Sequence, residues 1–175
     1  MMSEFRKHKG FSLIEAMVAL LVIAVGLLGI AGMQALSVNS TATSRVRALA
    51  SIEASNMAAY MGANSSYWRG ALGVSVTVSP QAGGAVLTDA TLNSLSVDCA
   101  GSTCTPQQMA AYDLKQWGSA QQLGLLPGGE GAVSCNAISG VCTVTVGWSQ
   151  KEMATNTTGA ALAPAVTYFR MVVQP

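Results

Sequence analysis

Glu15 is a carboxylate in a place where charge is costly. It lies in an apolar stretch from Phe11 to Val38 that contains no other charge, and the next charged residue is Arg45. A charged side chain inside an apolar membrane helix costs on the order of 2.5–3.5 kcal/mol on insertion scales, so Glu15 should have a partner. If the chain were cut after Gly10, the new amine on Phe11 would lie one helical turn away, and in a fibre a neighbour's amine could neutralise the carboxylate. The alternative is a carboxylate that reaches the membrane interface near the helix start.

The second group of residues that could do chemistry consists of four cysteines, Cys99, Cys104, Cys135 and Cys142. An even number of cysteines at short spacings suits disulfides in an oxidising compartment. Three pairings are open, and the local one, Cys99 with Cys104 and Cys135 with Cys142, is favoured because each pair spans a short turn containing glycine. Zinc is the competing interpretation, but it would need Cys-x2-Cys-like pairs, and no histidine lies nearby. We therefore expect neither a metal nor another cofactor.

Catalysis has few candidate residues in this sequence. The sole histidine, His8, would be lost with residues 1–10 if the chain were cut after Gly10. The remaining chain could then hold no histidine-based dyad or triad. There is no Gly-x-Ser-x-Gly elbow, phosphate-binding glycine loop or clustered carboxylate pair. Asp113 is interpreted as a helix-surface or packing group. We expect no enzyme activity and no small-molecule substrate.

The charges and the apolar residues are unevenly distributed. Half of the 175 residues are apolar and 10% are charged, which argues against disorder. Residues 1–10 carry three Lys or Arg against one Glu, whereas 11–175 carry six basic and seven acidic residues. This distribution disfavours a nucleic-acid partner without excluding it. The apolar run is long enough to span a bilayer and longer than a signal-peptide core, and the basic start keeps residues 1–10 in the cytoplasm.

The amino-terminal motif resembles a known targeting signal. Residues 9–15, Lys-Gly-Phe-Ser-Leu-Ile-Glu, and the apolar residues 16–24 resemble the class III signal of type IV pilins and type II secretion pseudopilins. The resemblance implies that a prepilin peptidase cuts after Gly10 and that the new amine on Phe11 is N-methylated. It further implies that Glu15 registers subunits during assembly.

Other segments are similar to the PilV-type minor pilins: residues 26–34, residues 45–64, and a Cys pair followed by a Tyr-Asp-Leu…Trp helix and the Leu-Pro-Gly-Gly turn at 126–129. The resemblance implies a role in priming or capping a pilus, with other minor and major pilins, the peptidase and the inner membrane as partners.

A type II secretion pseudopilin is the close alternative. A membrane-tethered adhesin or DNA-uptake receptor is an alternative of another class, which an exposed aromatic or basic patch on the sheet would support.

The predicted organisation has four parts: a cleaved leader at 1–10, a transmembrane and assembly helix at 11–39, its amphipathic continuation at 40–64, and a periplasmic globular domain at 65–175. The carboxy-terminal domain would lie in the periplasm, and the protein could join the pilus at the cell surface. One helix should run from about Ser12 to Met61. Its buried stripe should comprise Val46, Leu49, Met57, Tyr60 and Met61, with Arg45, Arg47 and Glu53 solvated.

The remaining elements predict an α+β fold of type IV pilin-like architecture, with a small antiparallel sheet on the long helix. A strand is expected at 74–78, a turn at Gly83-Gly84, and a helix from the N-cap Thr105 to about Leu123. A hairpin should join 131–136 to 141–149, and a last strand at 166–173 should follow a polar turn at 155–159.

Overall fold

The structure, a computed structural model, describes residues 12–150 and 165–175. The chain forms two compact units, Met1–Ala42 and Thr43–Pro175, and helix α1, Leu13–Ala63, contributes to both. The observed helix confirms the predicted one to within two residues at its end. Gly10, Phe11 and the predicted turn at 155–159 lie outside the described residues.

In the first unit, α1 is apolar on all sides. The Ser12 carbonyl accepts hydrogen bonds from the backbone N–H groups of Glu15 and Ala16, at 3.0 and 3.3 Å, and these bonds close the first turn. Fifteen large apolar side chains between Leu13 and Val38 are exposed. By length and composition alone, α1 is able to cross a membrane.

In the second unit, α1 buries one face. Ala50, Ala54, Met57 and Met61 are fully buried at spacings of three and four residues, the period of one helix face. Val46, Leu49 and Tyr60 pack beside them, so the predicted stripe is confirmed. The prediction that Glu53 is solvated is wrong: it is only 5% exposed, and its backbone carbonyl accepts a hydrogen bond from the Trp117 indole N–H.

Five strands form one antiparallel sheet in the order β2-β1-β3-β4-β5. Their bounds are Ser75–Ser79, Val86–Leu87, Glu130–Cys135, Cys142–Gln150 and Ala165–Val173 for β1 to β5. The predicted hairpin is β3–β4, and its alternation is confirmed because Cys142, Val144, Val146 and Trp148 are buried on one face. The α+β class is confirmed as well.

Helix α4, Pro106–Trp117, contacts both α1 and the sheet through Trp117, whose indole N–H donates to the Glu53 carbonyl and whose ring lies against Gly131 of β3. Its predicted start is confirmed, since Thr105 and Gln108 form a capping box with Pro106 in the first turn. The predicted end at Leu123 is wrong. After Trp117 the Ser119 N–H bonds to the Gln116 carbonyl, three residues back instead of four, so the α-helical pattern stops there. Gly118 has no room for a side chain, because a Cβ there would lie 2.4 Å from the Ala85 Cβ.

Three short elements complete the second unit. They are the helices α2, Ser65–Trp68, and α3, Ala90–Ser94, and a 3₁₀ turn at Leu123–Leu125. Asp89 caps α3, because its carboxylate accepts a hydrogen bond from the Leu92 N–H at 2.9 Å.

Candidate functional site

Glu15 lies in the first turn of α1, on an exposed surface formed by apolar neighbours. Val18, one turn further along, is 57% exposed. A negative charge in the first turn is favoured by the helix dipole. The next basic residue after Glu15 is Arg45, thirty positions or about eight helical turns away, which is far beyond side-chain reach. No basic residue that follows Glu15 on α1 can therefore pair with it, and the residues before Ser12 and another chain are the candidate sources of a cation.

Both disulfides lie in the second unit. Cys99 bonds to Cys104, with Cα atoms 5.7 Å apart, in the loop directly before α4. Cys135 bonds to Cys142, which is its direct partner across β3 and β4, and this disulfide is part of the core. This is the local pairing among the three that the sequence allows. Among the described residues, no group of three or more His, Cys, Asp or Glu is placed to hold a metal ion.

Two carboxylates are buried where α4 meets α1: Glu53, which was predicted to be solvated, and Asp113, which was predicted to be a helix-surface or packing group. Asn64 donates through Nδ2 to the Pro106 carbonyl at 2.8 Å, and Trp117 donates through Nε1 to the Glu53 carbonyl at 2.9 Å. These bonds join opposite ends of the two segments, so α4 runs antiparallel to the last turns of α1. Burial raises the pKa of Glu53, and a hydrogen bond from Asn56 at 3.3 Å partly offsets that rise.

Asp113 is the second buried carboxylate. It is 8% exposed, so the interpretation of it as a surface group is wrong, while that as a packing group holds. Burial raises its pKa to about 6. Asp113 lines a cavity of about 250 Å³, hereafter the α1–α4 cleft, whose other lining residues are Tyr60, Ala63, Asn64, Cys104, Pro106 and Met109.

The comparison with protein families identifies the amino-terminal segment. Residues 5–31 match the family described as the prokaryotic N-terminal methylation motif. The chain carries a pilin-like prepilin signal. The match includes Gly10, Phe11 and Glu15 and ends inside the first unit. No curated protein and no solved structure matches the chain significantly.

The prepilin signal explains why the first unit exposes so much apolar surface. Proteins with this motif are structural proteins rather than enzymes, and they are processed by a prepilin peptidase. The exposed apolar helix together with the signal fits a membrane-anchored pilin-like protein. A bilayer or a bundle of neighbouring helices would take this surface out of water.

Proposed function

We propose that this protein is a minor pilin that helps to initiate or cap a type IV pilus. Prepilin peptidase cuts between Gly10 and Phe11, and Phe11 is N-methylated. The processed subunit is anchored in the inner membrane with its globular domain in the periplasm. It is then incorporated into the fibre by packing of α1 against the first helices of neighbouring subunits. Its partners are other minor and major pilins.

The observation that carries this proposal is Glu15 within a prepilin signal, on a helix whose apolar surface is exposed. Fully burying one Val, Leu, Ile or Met side chain contributes about 1.5–3 kcal/mol, and fifteen such residues are exposed between Leu13 and Val38. A membrane and a helix bundle satisfy this surface equally well, so apolar burial alone selects neither. Glu15 favours the helix bundle over lipid, because its carboxylate is costly in lipid and is neutralised by a neighbour's Phe11 amine in the bundle.

The proposed domain layout follows from the same argument. The leader covers 1–10, the transmembrane and assembly helix 11–39, its continuation 40–64, and the globular domain 65–175. The two disulfides support a periplasmic location for the globular domain, since disulfides persist in oxidising compartments.

The variant Glu15→Leu tests this function. It removes the buried charge, so we expect the protein to be inserted and cleaved normally but to be absent from sheared fibres. Met17→Leu is the matched control, because it changes a neighbouring exposed position without altering charge, and it should enter fibres like the wild type. Immunoblots of the envelope and the sheared fraction measure both. Incorporation of Glu15→Leu at the wild-type level would refute the role of Glu15.

One observation favours a second candidate, a membrane-tethered ligand-binding domain. On β5, Tyr168 is 51% exposed, and the Arg170 guanidinium carbon lies 5.9 Å from its ring centroid. This is an exposed aromatic and basic pair on the sheet. If it binds an extracellular ligand, Tyr168→Ala should abolish adhesion or DNA uptake by cells whose pili assemble normally; unchanged uptake and adhesion would remove this candidate.

A further inference from the structure

The Asp113 carboxylate has no polar partner in the part of the chain that the structure describes. It is more than nine-tenths buried, and no hydrogen bond from residues 12–150 or 165–175 reaches its oxygens. Burial is the one cause that raises its pKa. Among the described residues, the fully buried side-chain N and O atoms without a hydrogen-bond partner belong to other side chains, so the Asp113 oxygens keep contact with solvent and can exchange water for a ligand. Asp113 also lines an open cleft, so a group from outside has access to it.

The charged and titratable groups nearby do not supply a cation. From α1, Tyr60 lines the α1–α4 cleft and its hydroxyl accepts a hydrogen bond from Gln122 at 3.0 Å. Glu53, on the same helix, is acidic and is hydrogen-bonded to Asn56. From α4, Lys115 donates to the Asn93 carbonyl at 2.9 Å and to the Leu95 carbonyl at 2.5 Å. In the described part of the chain, Asp113 is the one charged residue that lines the cleft.

The walls of the cleft suit a long, partly apolar group. Ala63, Pro106 and Met109 contribute hydrocarbon surface, and Asp113 contributes the negative charge. The volume of about 250 Å³ far exceeds the roughly 30 Å³ that one water molecule occupies in the liquid. Lysine and arginine side chains combine a methylene stem, which packs on apolar surface, with a cationic end.

The charge of the cleft points to a cationic side chain of another protein. Among residues 12–150 and 165–175, no Lys or Arg lines the cleft, and the Lys115 ammonium is held by two backbone carbonyls. An acidic cleft of this kind is electrostatically complementary to a cationic group on a partner surface.

We propose that the α1–α4 cleft binds a lysine or arginine side chain of a partner protein, with the methylene stem against Met109 and the cation paired with the Asp113 carboxylate. The inference is independent of whether the protein enters a fibre, because it rests only on residues of the second unit. It goes beyond the proposed assembly through α1 by assigning a separate contact to the globular domain.

Binding of this kind is linked to protons. Only the ionised carboxylate attracts the cation, and burial raises the pKa of Asp113 to about 6. The ionised fraction is then about 97% at pH 7.5 and about 9% at pH 5. Because apparent affinity scales with the fraction of competent protein, we expect about tenfold weaker binding at pH 5 than at pH 7.5.

The experiment uses the full chain in detergent micelles with carboxyl-labelled aspartate. The Asp113 carboxyl ¹³C signal is followed by NMR during titration with N-acetyl-lysine methylamide, its arginine counterpart, and the norleucine counterpart as an uncharged control. We expect the two cationic probes to shift this signal and to lower the pKa of Asp113, with the tenfold pH dependence given above. The norleucine probe should leave that pKa unchanged.

Two variants complete the design. Asp113→Asn keeps the shape of the site and removes the charge, so it should abolish binding of the cationic probes, which is then followed through the Met109 methyl signal. Asp98→Asn changes an exposed carboxylate next to Cys99 and should bind like the wild type. Equal shifts from the norleucine and lysine probes, retained binding by Asp113→Asn, or no response of Asp113 to either cation would each overturn the proposal.

Discussion

Asp113→Asn should stabilise the protein at neutral pH, even though it replaces a buried residue. The substitution keeps the side-chain volume nearly constant and removes a charge that burial disfavours. The pKa of Asp113 is raised from 3.8 to about 6, a difference of about 2.2 units, which at 1.36 kcal/mol per unit corresponds to a ceiling of about 3 kcal/mol. Because the cleft is open to solvent, screening reduces the expected gain to about 1–2 kcal/mol.

The sign of the pH dependence follows from the direction of the pKa shift. A carboxyl group whose folded pKa is raised binds its proton more tightly in the folded state. Its stabilising contribution is therefore complete below pH 3.8 and is lost as the pH rises through about 6. The difference between the variant and the wild type should be negligible near pH 3.5, grow across this interval, and become constant above pH 7.

Urea unfolding monitored by near-ultraviolet circular dichroism at pH 3.5, 5, 6 and 7.5 measures this difference. Glu53, whose pKa is also raised, is present in both proteins and cancels in the comparison. Asp98→Asn, which removes an exposed carboxylate, is the control for a general charge effect. An Asp113→Asn protein that is no more stable than the wild type at pH 7.5, or a difference that does not change with pH, would refute the reasoning.

Three further predictions concern processing and the core. Gly10→Leu should leave the leader attached in immunoblots of the envelope, and normal maturation would contradict the cleavage site. Gly131→Ala should destabilise the protein by about 1–3 kcal/mol in urea unfolding, because a Cβ there would lie 2.4 Å from the Trp117 ring, and an unchanged midpoint would show that the ring can move. Replacing both Cys135 and Cys142 by Ser should cost about 2 kcal/mol by the loop-entropy relation, measured in the same assay, and unchanged stability would show that this disulfide is dispensable.

Local signals in the sequence predicted most of the elements. The capping box at Thr105 depends on residues three positions apart, and the hairpin depends on alternation within each strand, so a single sequence contains both signals. α3 was missed although Asp89 supplied an N-cap signal, because Ser, Thr and Gly around it indicated a loop. β2, at two residues, is too short for any alternation to be detected.

The features that could not be predicted depend on contacts between distant residues. Gly118 passes so close to Ala85, more than thirty residues earlier, that no side chain fits there. Glu53 is buried at a point where its backbone carbonyl bonds to the Trp117 indole, 64 residues later. The two candidate sites differ in the same way. Glu15 could be identified from the sequence because it is a single charge in an apolar run, whereas the cleft around Asp113 forms only when α4 lies against α1.

The central claim, that this chain is processed as a prepilin and enters a fibre, is tested most directly by mass spectrometry of sheared surface pili from the native cell. The intact mass and the amino-terminal fragment ions of this protein should show a chain that begins at N-methylated Phe11 in the sheared fraction. A chain that retains residues 1–10 in both the fibre and the envelope would contradict the account. Processed protein found in the envelope alone would retain the cleavage and refute entry into the pilus.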